Sequence, residues 1–122
     1  MADIAFDTDG KARFPTKHHG EVSFSQGKWW DICARPERYY YRFNGDKIGT
    51  TLVNPDIVRH HGTNSSQFMY YKQFDKFTIA EGIEASGPAK FMAVVIDTAT
   101  QRVCTVYPVD RPKPGKEYKP NG

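Results

Sequence analysis

"KFMAVVIDTATQRVCTVYPV", residues 90–109, is the stretch of sequence that decides the fold. Residues 90–98 are nearly continuous in apolar side chains, which is typical of a central strand that is covered on both faces. Residues 102–109 form a second strand candidate, and the connection between them is short enough for an antiparallel hairpin. The stretch therefore predicts two neighbouring antiparallel strands.

Further strand candidates precede this hairpin. Residues 67–74, "QFMYYKQF", alternate between two sets of side chains, and the polar, Gly-rich insert after them carries another candidate at 77–80. Residues 4–14 are predicted to form two extended runs joined at Asp9-Gly10, because glycine tolerates the positive φ of a tight turn. Residues 21–25 fit a strand or a loop, and residues 56–61 fit a strand.

One or two helices are predicted between the strands. The first follows Ser25, an acceptable N-cap, and places apolar residues of "WWDIC" at i, i+3 and i+4. It should end near Ala34, because Pro36 disfavours helical geometry in the residue before it. The second is predicted to begin with Asp46 as its N-cap and to end before Pro55.

The order of these elements predicts a single α+β domain over residues 1–110. Short N-terminal strands and one or two helices lead into an antiparallel β-meander, with the helices packed on one face of the sheet. Residues 111–122 are rich in proline and lysine and are predicted to be a C-terminal tail. Two interpretations of the tail stay open: a solvated segment, or an electrostatic arm for nucleic acid.

The composition excludes several classes of protein. The chain has 122 residues, 39% of them hydrophobic, and it lacks the run of about 18 apolar residues that spans a bilayer. Its start has neither the basic nor the apolar region of a signal peptide, so we expect a cytoplasmic protein with no membrane partner. The net charge of +3 permits an anionic partner. Two cysteines without CxxC spacing indicate reduced thiols.

No Gly-rich phosphate loop, HExxH motif or CxxC pair is present, so no cofactor or metal is predicted from motifs. Two histidine pairs, His18-His19 and His60-His61, lie next to glycines and are predicted to be in loops. Adjacent histidines on a strand point to opposite faces, so each pair offers one easily aligned ligand. Three interpretations stay open: structural or solvated histidines, a catalytic acid or base, and a metal site.

Charged residues gather where the first helix is predicted to end. Asp31, Arg35 and Glu37 lie close together there, so a carboxylate and a guanidinium are candidates to project toward the sheet. The alternative is that Arg35 and Glu37 form a surface ion pair of little energetic weight.

The last strands add a second group of candidates. Thr105 and Tyr107 share one face of their predicted strand, and Lys72 lies on another strand of the same predicted sheet. These three side chains are candidates to converge on one phosphodiester.

The order of the segments resembles the barnase, EndoU, colicin and RelE-like nuclease superfamily, in its phage- and bacteria-borne branch. The similarity spans about residues 4–110, and its motifs are a tryptophan-led helix, an Asn-Pro-Asp motif, a Tyr-Tyr-Lys strand and a last strand with threonine and tyrosine. The matching residues are Trp30, Ile32, Pro36, Glu37, Thr51, Leu52, Asn54, Pro55, Asp56, Tyr70, Tyr71, Lys72, Thr105 and Tyr107.

The resemblance implies a small sheet with one or two helices and metal-independent endoribonuclease activity of a toxin, effector or phage-derived type. Such enzymes cleave RNA by attack of a ribose 2′-OH on its own phosphodiester, which requires a general base, a general acid and a cation. By position, Lys72 would stabilise charge, Thr105 would hydrogen-bond the phosphate, and Tyr107 would support or donate. Arg35 and Glu37 would orient the groove.

The chain departs from the pattern of this branch at two positions. Asp31 and Arg35 stand where the branch often has histidines that act as acid or base. Either Asp31 or Glu37 substitutes, or His18 or His60 is supplied from a loop, or the domain no longer cleaves. The alternative function is a catalytically inactive RNA- or protein-binding relative, or a small phage or bacterial interaction protein. The implied partners are RNA and an antitoxin or immunity protein.

Overall fold

The computed structural model describes residues 4–34, 44–63, 65–75, 77–80, 83–85 and 90–118. Within these ranges the chain is an α+β protein with two helices, a six-stranded mixed sheet and a two-stranded sheet. The predicted α+β class is confirmed. No helix among the described residues is long and apolar enough to cross a membrane.

The larger sheet has the strand order β1-β2-β8-β7-β4-β3. Strands β2 and β8 are parallel, and the other neighbours are antiparallel. Strands β5 and β6 form the smaller sheet. The elements are β1 Lys11–Thr16, β2 Gly20–Ser25, α1 Gln26–Cys33, α2 Asp46–Val53, β3 Ile57–His60, β4 Gln67–Phe74, β5 Phe77–Ala80, β6 Ile83–Ala85, β7 Lys90–Asp97 and β8 Arg102–Val109.

The hairpin predicted at Asp9-Gly10 is wrong, although the turn itself forms. Gly10 has a φ of 75°, and the Gly10 N–H donates to the Asp7 oxygen at 2.9 Å. Residues 4–7 lie outside the strands, and β1 pairs with β2 through the turn at residues 17–19. The turn at Asp9-Gly10 is as predicted, but the apolar residues before it, Ile4 and Phe6, pack into the core instead of pairing as a strand.

The two helices begin differently. The Ser25 hydroxyl accepts a hydrogen bond from the Lys28 N–H at 3.1 Å, so the predicted N-cap of α1 is confirmed. The predicted N-cap of α2 is wrong: Gly45 occupies that position, and Asp46 lies in the first turn. A Cβ at Gly45 would lie 2.9 Å from Ile4 Cγ1, so the close approach of the N-terminal segment favours glycine here.

The strands β4, β7 and β8 present two different faces. The Tyr70 face comprises Phe68, Tyr70, Met92, Val94, Ile96 and Val106, and it belongs to the same buried cluster as residues of α1 and α2. That cluster also takes in β1 and β2, so the packing of both helices on one face of the sheet stays a prediction. The Tyr71 face comprises Met69, Tyr71, Ala93, Val95 and Tyr107.

Residues 111–118, which we call the strap, run back along the sheet. The Lys113 N–H donates to the Tyr71 hydroxyl at 3.2 Å, on the Tyr71 face. Farther along, the His60 N–H donates to the Lys116 oxygen and the Tyr118 N–H donates to the Val58 oxygen, both at 2.8 Å. The strap therefore crosses the Tyr71 face and ends against the edge strand β3. Neither interpretation of this segment from sequence included such anchoring.

Candidate functional site

Thr105 and Tyr107 lie on the Tyr71 face, and Lys72 lies on the opposite one. In the sheet register, Tyr107 pairs with Ala93 and Thr105 pairs with Val95, across an irregularity in the β7–β8 ladder. Lys72 instead pairs with Met92, a residue of the Tyr70 face. Because successive side chains on a strand alternate between faces, the structure does not bring Lys72 together with Thr105 and Tyr107.

Lys72 has a carboxylate partner on its own side of the sheet. Its Nζ lies 3.9 Å from Asp56 Oδ1, and its side chain is 19% exposed. The other oxygen, Asp56 Oδ2, accepts a hydrogen bond from the Gln73 N–H at 2.7 Å. These contacts give Lys72 a structural role between β4 and the segment that follows α2.

The remaining predicted residues are spread over the molecule. Asp31 is exposed on α1, a helix that contacts β2 and β8. His60 lies at the end of β3 and faces Phe68 and Tyr118, away from Tyr107. Arg35 and Glu37 lie outside the described residues, so their predicted roles stay predictions.

A cationic and phenolic group of residues, the Tyr71 site, occupies the Tyr71 face. Its members are Arg59, Tyr71, Thr105, Tyr107 and Lys113. An Arg59 guanidinium N–H donates to the Lys113 oxygen at 2.5 Å, and the Lys113 Nζ lies 5.0 Å from the centre of the Tyr107 ring. The Tyr71 hydroxyl lies 3.2 Å from both the Lys113 nitrogen and the Met69 sulfur.

The two phenols of this site stay protonated at neutral pH. Burial raises the pKa of Tyr71 and, to a smaller extent, the neighbouring Tyr107 raises it further, while the Lys113 N–H and Arg59 oppose these effects. Burial also raises the pKa of Tyr107. The site therefore offers hydroxyl groups and positive charge, a set that suits an anionic ligand. Glu117 pairs with Arg59 in an isolated antiparallel bridge, which places a carboxylate at the same edge.

A second group, the histidine cluster, lies on the Tyr70 side of the sheet and consists of His18, His19, His60 and Tyr118. Its centre is Tyr118, whose ring centroid lies 5.4 Å from that of His18, 4.7 Å from that of His19 and 6.0 Å from that of His60. The turn between β1 and β2 and the end of β3, which are far apart in sequence, therefore meet around one residue of the strap; the predicted loop position of His60 is wrong, because His60 is the last residue of β3.

His19 is the most constrained member of this cluster. Its Nδ1 lies 2.5 Å from the hydroxyl of the fully buried Tyr70, and its ring stacks on Phe68 at 4.1 Å. Its Nε2 is buried and has no hydrogen-bond partner among the described residues. Burial, followed by the charges of His18 and His60, lowers the pKa of His19. The pKa of His18 is lowered by burial and by Lys17, so both rings favour the neutral form.

Sequence reasoning identified the histidine pairs but missed most of these partners. Tyr71 belonged to the Tyr-Tyr-Lys motif but was given no role, Arg59 belonged to no motif, and Lys113 and Tyr118 lay in the segment predicted to be the tail. The strap geometry that brings Lys113 and Tyr118 to the sheet has no local sequence signal. Among the described residues, no group of three or more His, Cys, Asp or Glu side chains is placed to hold a metal ion.

A recess of about 420 Å³ lies beside α1, away from both groups. Its wall includes Trp30, the most exposed large apolar residue of the described chain. The recess borders the end of α1, where the described residues stop at position 34. We therefore propose no ligand for this recess. The lining residues are Ile4, Phe6, Gln26, Trp29, Trp30, Cys33 and Ala34.

The fold and these groups define an α+β protein whose mixed sheet carries a cationic, phenolic face under a C-terminal strap. Comparisons with known proteins found no matching family model, no matching curated protein and no matching solved structure. Membership of the nuclease superfamily rests on the sequence motifs and stays a prediction.

Proposed function

We propose that the protein binds single-stranded RNA at the Tyr71 site. The observation that carries this proposal is the grouping of two tyrosines, Thr105, Arg59 and Lys113 on one face of the sheet. Lysine and arginine contact phosphates, and tyrosine rings stack on unpaired bases, each stacked base contributing about 1–3 kcal/mol. The combination suits a polyanion with accessible bases better than a small anion.

The superfamily resemblance supports RNA as the partner. It implies that Thr105 hydrogen-bonds the phosphate and that Tyr107 supports or donates, and both residues lie on the Tyr71 face. The net charge of +3 adds a weak attraction that does not depend on sequence.

Access to the site requires movement of the strap. Tyr71 is fully buried, and Lys113 lies between its hydroxyl and the Arg59 guanidinium. RNA therefore binds when the Lys113 backbone leaves the Tyr71 hydroxyl and the Arg59 guanidinium. The side chains of Arg59 and Lys113 are then available to phosphates. The described arrangement corresponds to a closed form of the site.

Removal of either cation is expected to weaken RNA binding about tenfold at low salt, since one phosphate contact is lost. Arg59→Gln and Lys113→Gln should each also reduce the slope of log K against log salt by about 0.7 for single-stranded RNA. Fluorescence anisotropy with an end-labelled, unstructured RNA oligonucleotide at several salt concentrations measures both quantities.

Lys11→Gln is the matched control for these variants. It removes the same charge from β1, at the edge of the sheet opposite β3, so binding should change little. Equal losses for Lys11→Gln and Arg59→Gln would indicate general electrostatic attraction and contradict a site on the Tyr71 face. Absence of binding by the unmodified protein at low salt would overturn the proposal.

The second candidate function is metal-independent endoribonuclease activity of a toxin, effector or phage-derived type. The observation that favours it is the presence of Thr105 and Tyr107 hydroxyls on the same face as a guanidinium, the groups that stabilise a phosphorane. The required base or acid would come from Glu117 beside Arg59, or from Glu37, which lies outside the described residues. This candidate includes the predicted cytoplasmic location and a restraining antitoxin or immunity protein.

Cleavage would produce 2′,3′-cyclic phosphate ends from labelled single-stranded RNA in the presence of EDTA. Thr105→Val and Tyr107→Phe are expected to lower the rate by about 10²-fold or more, because each removes a hydroxyl from the reacting phosphate. Lys72→Ala is the informative control, since Lys72 lies on the other face and its loss should leave the rate within a few-fold. Binding without cleavage would leave the first candidate and exclude the second.

A further inference from the structure

The end of the strap is held by the histidine cluster. Tyr118 contacts the rings of His18, His19 and His60, and its N–H donates to the Val58 oxygen at 2.8 Å. Among the residues that the structure describes, two backbone hydrogen bonds join the strap to β3 at this end: the Tyr118 N–H donates to the Val58 oxygen, and the His60 N–H donates to the Lys116 oxygen. The ring contacts of Tyr118 are therefore a large part of what closes the strap.

The charges around Tyr118 are unfavourable for additional protons. The β1–β2 turn contributes Lys17, His18 and His19, β3 contributes His60, and β4 contributes the neutral phenol of Tyr70. The strap contributes Lys116 and the exposed Glu117, which pairs in register with Arg59 at the edge of the sheet. The electrostatic contributions to His18 and His19 come from Lys17 and from the other histidines, and all of them oppose protonation.

We propose that the histidine cluster is an acid-sensitive latch, and that protonation of His18 and His19 releases the strap from β3. An imidazolium has two N–H donors, and in the closed form His19 Nε2 is buried without an acceptor. Charging His19 would therefore bury a positive charge on a ring whose Nε2 has no partner, and it would place that charge beside the ring of His18. Opening removes both costs, because the rings then reach water.

One interaction works in the opposite direction. A cation is attracted to the face of an aromatic ring, and His19 stacks on Phe68. Burial and the neighbouring charges oppose this attraction, and they lower the pKa values of His18 and His19 in the closed form. The open form takes up more protons, so closing is favoured above about pH 6.5 and weakens below it. Each extra proton taken up on opening raises the opening equilibrium by about tenfold per pH unit.

Opening of the latch would also expose the proposed RNA site. Release of Tyr118 and Lys116 frees the strap to withdraw Lys113 from Tyr71, which uncovers the Tyr71 face. This consequence rests on the proposed function, whereas the latch itself does not. The two are therefore measured separately.

Amide hydrogen exchange measured by NMR reports the latch directly. The His60 amide donates to the strap and the Tyr118 amide donates to β3. Their protection factors therefore report the opening of the strap. With intrinsic exchange corrected for pH, we expect both to fall at least about tenfold from pH 7.5 to pH 5.5. The amide of Val94, in the central strand β7, should keep its protection. Unchanged protection at residues 60 and 118 would overturn the latch.

Variants separate titration of the cluster from general acid instability. The double variant His18→Gln, His60→Gln removes two imidazole rings from the cluster, that of His18 among them, so protection at residues 60 and 118 should depend less on pH. His61→Gln replaces the neighbouring histidine, whose N–H bonds to Gln67 on β4, and should keep the full pH dependence. An unaltered pH dependence in the double variant would contradict the proposal.

Gly115→Val tests the strap without changing any titrating group. A Cβ at residue 115 would lie 3.2 Å from the His60 oxygen, so the variant should be open at both pH values. Its RNA affinity at pH 7.5 should then match or exceed that of the unmodified protein at pH 5.5. Exchange that responds to pH while RNA affinity stays constant would support the latch and contradict the Tyr71 site as the place of binding.

Discussion

Trp29→Ala is expected to lower the free energy of unfolding by about 3–5 kcal/mol, the range measured for truncation of large buried aromatic residues. Trp29 is 3% exposed, and its ring meets Phe24 edge to face at 5.9 Å in the main core cluster. Because small domains are stable by only about 5–15 kcal/mol, this single change should bring the chain close to unfolding. Urea denaturation followed by far-UV circular dichroism measures the loss.

Trp30→Ala is the matched control. Trp30 is the residue after Trp29 within α1, but it is 63% exposed, since adjacent helical residues lie about 100° apart around the axis. Its truncation should cost less than about 1 kcal/mol. Equal losses for the two tryptophans would mean that α1 is rotated about its axis relative to the described arrangement.

The strands could be predicted where the local pattern alone defines them. The bounds predicted for β4 and β8 coincide with those observed, and β7 differs by one residue. Alternation in β4 and the apolar run in β7 reflect burial on both faces of the central strands. The short β5 was also anticipated at 77–80. Alternation and apolar runs are patterns of consecutive residues, and for that reason these strands could be predicted from the sequence alone.

The candidate site depends on register, and register is not a local property. β4 and β7 are separated by fifteen residues that include β5 and β6, so the sequence does not specify that Lys72 pairs with Met92 and Tyr71 with Ala93. A shift of one residue would have placed Lys72 on the face of Tyr107. The same limit applies to the two histidine pairs, which meet only because β3 and the β1–β2 turn reach the same end of the sheet.

Tyr70→Phe is expected to lower the free energy of unfolding by about 2–4 kcal/mol near pH 7.5. The Tyr70 hydroxyl is fully buried, lies 2.5 Å from His19 Nδ1 and also interacts with the His18 backbone N–H. Its removal takes a hydrogen-bond partner from His19 Nδ1 and from the His18 N–H, and each group left unpaired costs about 1–3 kcal/mol. His19 would then have no partner on either ring nitrogen, since its Nε2 has none in the intact protein.

Tyr71→Phe is the control, on the next residue of the same strand and equally buried. Its hydroxyl contacts the Lys113 N–H and the Met69 sulfur, and the freed Lys113 N–H belongs to an exposed residue that water can solvate. This loss should stay near 1 kcal/mol. Because the folded protein holds His18 and His19 neutral, both variants and the unmodified protein should lose stability as pH falls below about 6.5. Equal losses for Tyr70→Phe and Tyr71→Phe at pH 7.5 would mean that His19 finds another partner, and the buried, unpaired imidazole on which the latch depends would then be absent.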